Sequence, residues 1–60
     1  MNSKIKQIRD RKRWSRRELA KASGISERTI FSAEKGAMVS IRTLQAIADA
    51  LGVQLKTLIR

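Results

Sequence analysis

The sequence predicts an all-α fold, a compact bundle of five short helices, on three observations. The only glycines, Gly24, Gly36 and Gly52, fall where helical segments would end. Ser3, Ser15, Ser26 and Ser40 each precede such a segment. Between these marks the apolar residues recur at helical spacing and do not alternate as in a strand. A serine hydroxyl caps a helix by accepting an orphan backbone N–H, and a glycine just past the end takes the left-handed conformation without penalty. The predicted helices span residues 4–13, 16–23, 27–35, 41–51 and 55–59.

The first helix rests on Ile5 and Ile8, three residues apart on one face. The second has the strongest start signal. Ser15-Arg16-Arg17-Glu18 has the pattern of a capping box, with Trp14 and Leu19 placed as a hydrophobic staple, so Trp14 is read as structural. Ile30 and Ala33 share a face of the third helix. Ile41, Leu44, Ile47, Ala48 and Leu51 form the stripe of the fourth. Val53, Leu55, Leu58 and Ile59 fit a helical turn or a short strand, and the turn is preferred.

Sixty residues make one small domain, residues 1–60, burying only about 60% of the surface of the unfolded chain. Fourteen Lys and Arg face five Asp and Glu, a net charge of +9. Such a balance favours a polyanion as partner, nucleic acid or an acidic membrane surface. The chain has no Cys, His or Pro. That excludes disulfides, histidine catalysis and the usual zinc sites. The 42% hydrophobic content is too high for a disordered basic tail. No apolar run is long enough to span a membrane, and the basic N-terminus lacks a signal peptide's apolar segment. A soluble cytoplasmic module is expected. Separately capped helices argue against one long interfacial helix, and two aromatics cannot form a stacking platform for single-stranded RNA. Ser32-Ala33-Glu34-Lys35 matches the S-x-x-K pattern of acylases, but the companion motifs are missing and the chain is too small for a cleft. No enzyme activity, cofactor or metal is expected.

The second and third helices are joined by Ser23-Gly24-Ile25-Ser26, the arrangement of a helix-turn-helix unit. The stretch SRRELAKASGISERTIFSAEKG, residues 15–36, resembles the Cro/cI-type (XRE) helix-turn-helix family of phage repressors and bacterial regulators. IRTLQAIADALGV, residues 41–53, is similar to that family's fourth helix and its exit. The resemblance implies a nucleoid-associated protein that binds double-stranded DNA and regulates transcription, expected as a repressor. Its third helix would enter the major groove and its second would cross the backbone. A homodimer on an inverted repeat is implied, with a monomer or weak dimer in free solution. Leu55, Leu58 and Ile59 are the candidate dimer contacts. The sequence departs from the family at Arg13, where many relatives have Gly, and at Arg16, where Gln is common. Ala33 is smaller than the usual Ile or Leu, and residues 37–39 are one residue short.

With Ile30 set inward at about 100° per residue, Ala33 and Glu34 also point inward, whereas Arg28, Phe31, Ser32 and Lys35 point outward. Glu27 lies between and reaches forward. The resemblance makes Glu27, Arg28 and Ser32 base readers. Arg28 can donate twice to guanine and Glu27 can accept from cytosine. Phe31 would touch a thymine methyl or pack on Met38 or Val39. Glu27 would otherwise serve the helix dipole.

Bases in first helical turns are unfavourable unless an anion arrives. Arg16, Arg17, Lys35 and Arg42 are therefore proposed phosphate ligands, with Ser15 and Ser40 donating hydroxyls. Lys21, Lys56 and Arg60 fit plain solubility charge. Residues 1–21 hold nine bases against Asp10 and Glu18, and Lys6, Arg11 and Lys12 have no assigned contact. An inward Glu34 needs a cation, and the resemblance supplies Arg9 as its structural partner. The alternative function is a protein-interaction module of the same fold, antitoxin-like or a regulator subunit, with only non-specific DNA binding. Phe31, Leu55, Leu58 and Ile59 would then be contact surface.

Overall fold

Serine caps set the register of the three central helices. Ser15, Ser26 and Ser40 each have extended backbone and accept a hydrogen bond from the backbone N–H three residues on, at Glu18, Thr29 and Thr43. At Ser15 the bond is reciprocal. Glu18 N–H donates to Ser15 Oγ at 3.1 Å, and Ser15 N–H donates to Glu18 Oε1 at 2.7 Å. The computed structural model describes residues 3–59 and contains α1 (Ser3–Arg11), α2 (Arg16–Ser23), α3 (Glu27–Glu34), α4 (Ile41–Leu51) and α5 (Leu55–Leu58). Arg60 lies outside the described residues.

Three helix ends close by the same six-residue turn on different residues. After α3, Ala37 N–H donates to Ser32 O and Gly36 N–H to Ala33 O, with Gly36 at φ 96°. After α4, Val53 N–H donates to Ala48 O and Gly52 N–H to Asp49 O, with Gly52 at φ 73°. After α1, Trp14 N–H donates to Arg9 O and Arg13 N–H to Asp10 O, with Arg13 at φ 60°. This is the Schellman pattern. It corrects the predicted end of the first helix. The bases of residues 11–13 are good helix formers, yet Arg13 adopts the left-handed conformation and the helix stops at Arg11. The third and fifth helices each end one residue earlier than predicted. Lys35 caps α3, and Ile59 is extended after α5.

Every helix contributes to one core. Ile5 and Ile8 of α1, Leu19 of α2, Ile30 and Ala33 of α3, Ile47, Ala48 and Leu51 of α4, and Leu58 of α5 are buried together. Trp14, Ile25, Val39, Leu44 and Val53 close around them. α1 packs on α3, α4 and α5, while α2 packs on α3 and α4. Two expectations fail here. Ile41, the first residue of the predicted α4 stripe, is 64% exposed because it starts the helix above the core. Leu58, a candidate dimer and interaction residue, is 2% exposed and belongs to the core. Of that trio Leu55 is half-buried and Ile59 alone is exposed.

Among the described residues, no helix is long and apolar enough to cross a membrane.

Candidate nucleic-acid interface

α3 divides its residues between core and surface. Ile30, Ala33 and Glu34 are buried. Glu27, Arg28, Phe31 and Lys35 are exposed, and Thr29 and Ser32 are half-buried. The Ser26 hydroxyl accepts from Thr29 N–H and donates to Thr29 Oγ1 at 2.9 Å, which ties the first turn. Glu27 and Arg28 leave that turn without an ion pair or side-chain hydrogen bond among the described residues. They are one acid and one base with their hydrogen-bonding capacity free.

Behind this surface lies a charged hub. The Glu34 side chain is only 4% exposed. Arg9, also buried, donates from Nε to Glu34 Oε2 at 2.8 Å and from Nη2 to Oε1 at 3.4 Å. Its Nη1 donates to the carbonyl of Trp14 at 2.7 Å. Arg9 thereby joins α3 to the turn that ends α1. Arg16 also reaches the carboxylate, donating from Nε to Glu34 Oε1 at 3.1 Å, with its side chain 37% exposed. One carboxylate thus holds two guanidinium groups, and Asp10 stands 3.7 Å from Arg9 Nη1 as a second acid beside them.

Phe31 extends the cluster outward. Its ring has the Arg16 guanidinium at 4.6 Å and the Lys35 ammonium at 4.7 Å from its centroid. Cations over an aromatic face are attracted by the ring's quadrupole. Of its two expected packing partners, Met38 is fully exposed and Val39 is half-buried against the core. Phe31 is 40% exposed and so remains available to a ligand while steadying two bases.

The remaining predicted phosphate ligands are placed as follows. Arg17 and Arg42 are exposed at the second positions of α2 and α4, unpaired with any carboxylate among the described residues. Ser15 Oγ accepts its cap bond and keeps its own proton to donate. Ser40 Oγ accepts from Thr43 N–H and shares a proton with Thr43 Oγ1 at 2.9 Å, so its hydroxyl is more occupied. The structure brings Arg9, Arg16, Phe31, Glu34 and Lys35 into one connected group. It records no side-chain contact that draws Arg17, Arg28, Arg42 or Ser32 into that group. Sequence reasoning missed the second arginine on Glu34. Its signal was the base at the first position of α2, treated there only as a phosphate ligand.

A capped pair of helices, one laying an outward polar face on a basic surface, defines a helix-turn-helix domain. A model of the helix-turn-helix family matches residues 5–58, nearly the whole chain. The chain therefore belongs to the helix-turn-helix family, of the Cro/cI (XRE) type, and is a DNA-binding domain of the transcription-regulator kind. No curated protein and no solved structure matches it.

Proposed function

We propose that this protein reads a specific double-stranded DNA sequence and acts as a transcriptional repressor. α3 enters the major groove, with Glu27, Arg28, Phe31 and Ser32 toward the base edges. Ser15, Arg16, Arg17, Lys35, Ser40 and Arg42 hold the flanking phosphates, and two copies bind an inverted repeat. The observation that carries this reading is the split of α3. Its buried residues lock it in the core while Arg28 and Glu27 stand exposed in the first turn, without a side-chain partner among the described residues, in the part of a recognition helix that meets bases.

Selection from a random duplex pool at near-physiological salt tests it. Enrichment of an inverted repeat with half-sites about one helical turn apart supports a dimeric reader. A single enriched half-site removes the dimer. Retained DNA without enrichment overturns sequence reading. It would favour the interaction-module alternative, for which the exposed Phe31, Met38 and Ile41 are the specific support. For a dimer holding about eight phosphates, log K falls with log salt at a slope near −7.

A further inference from the structure

α1 has a face that the α3 surface does not use. Its inner side carries Ile5, Ile8 and Arg9, buried where α1 meets α3, α4 and α5. Arg9 reaches Glu34 on the buried side of α3, whereas Arg28 and Phe31 stand on its exposed side. α1 thus lies behind α3, and its outer surface turns away from the one α3 presents. On the flank turned away from Arg9 that surface exposes Lys4 and Arg11, and the turn after it exposes Lys12 and Arg13; Lys6 is exposed on the other flank, with Gln7 and Asp10 between. The single acid of α1, Asp10, lies 3.7 Å from Arg9 and is itself exposed on the outer side of the helix. None of the five exposed bases is paired with a carboxylate among the described residues.

Two further observations bear on what this face meets. Arg13 holds φ 60°, a conformation glycine would adopt freely, so a base is kept there against the preference of the backbone. Such strain clusters at functional positions. Among the described residues, the exposed large hydrophobics, Phe31, Met38, Ile41 and Ile59, all lie outside α1 and its turn, where Trp14 is half-buried with the Lys12 ammonium 5.2 Å from its ring centroid. Among the described residues the face thus exposes none of the large apolar anchors that protein interfaces are built around. A duplex backbone needs no such anchors. It presents one charge per about 1.7 Å and is held by unpaired Lys and Arg alone.

We infer that the outer face of α1, with the Arg13 turn, is a second nucleic-acid surface. It holds the sugar–phosphate backbone of one duplex while α3 engages another, so a single molecule bridges two DNA segments with its +9 charge between them. The inference rests on the proposed reading only in assigning α3 to the first duplex.

The test is a capture assay. A short duplex carrying one binding sequence is fixed to beads, protein is added, and a labelled duplex of unrelated sequence is offered. The variant combines Lys4→Gln, Arg11→Gln, Lys12→Gln and Arg13→Gly. All four positions are exposed and the last change relieves the backbone. A thermal melt by circular dichroism confirms its fold. The expected result is capture of the labelled duplex reduced by about tenfold or more, with affinity for the fixed duplex within about threefold and an unchanged salt slope. Capture at the wild-type level overturns the inference, because bridging would then run through paired α3 surfaces. A fall in affinity and slope for the fixed duplex also overturns it, because both faces would touch one duplex. Polyglutamate competing for the wild-type face better than duplex overturns the choice of DNA. If no sequence is enriched yet the wild type bridges and the variant does not, the reading by α3 fails and this inference stands.

Discussion

Two arginines meet the same carboxylate and are set up for different work. Arg9 is buried, holds both oxygens of Glu34 and donates from Nη1 to the Trp14 carbonyl. Arg16 holds one oxygen through Nε, lies over Phe31 and is more than a third exposed. Burial separates them. Removing one partner of a buried pair leaves a charge that water cannot reach, whereas an exposed pair is solvated and screened by salt. The pair at Arg9 is structural. Arg16 is positioned by the same acid but keeps a surface from which to bind an anion, so Glu34 serves stability through one arginine and the proposed interface through the other.

The largest effect that can break this comparison is at Arg9. Arg9→Met should destabilise the fold by about 3–5 kcal/mol in denaturant titration, enough to unfold so small a domain. The double variant Arg9→Met with Glu34→Leu should recover most of that loss; failure to recover would locate the effect in packing and not in charge. Arg28, an arginine with no acid partner, should behave as neither of the other two. Arg28→Ala should lose about 1–3 kcal/mol of discrimination at one base pair, read by binding to single-substituted sites, and leave the melting temperature unchanged. An equal loss at every sequence would remove Arg28 from base readout.

Arg16→Ala tests the shared role more finely. Solvent screening limits its stability loss to about 1 kcal/mol or less. Its affinity should drop alike at all sequences, and the salt slope should flatten by about 0.9 for each phosphate the variant no longer holds. Phe31 sharpens this further. Phe31→Trp should preserve the stacked bases and Phe31→Leu should not, a difference of about 0.5–1 kcal/mol spread over all sequences. A loss confined to one thymine position would instead mark the ring as a base contact.

Much of this could be inferred from residue order alone. The caps at Ser15, Ser26 and Ser40 are local, because a hydroxyl and an N–H three residues on meet whenever a helix starts there. The inward face of α3 follows from helical periodicity, and with it the need of Glu34 for a cation. What escaped depends on tertiary distance. A sequence separation of eighteen between Arg16 and Glu34 says nothing of a bond that forms only when the start of α2 packs by the end of α3. Ile41 and Leu58 both satisfy an apolar pattern, yet one lies above the core and the other inside it. Periodicity gives a direction around a helix axis and not a depth along it. The early stop of α1 was hidden because Lys and Arg favour helices, and the turn bonds at Arg9 and Asp10 outweigh that preference.

The Arg13 turn couples two properties that usually vary independently. The equivalent turn at Gly52 is relaxed, and a methyl group there would meet nothing within 4 Å, so Gly52→Ala tests backbone conformation alone. Arg13→Gly should raise stability, and Gly52→Ala lower it, each by about 1 kcal/mol. At position 13 that gain comes only with the loss of a positive charge. The position is a dial between thermal robustness and adhesion to polyanions. A lineage under heat would turn it toward glycine, and one under selection for positive charge would turn it back.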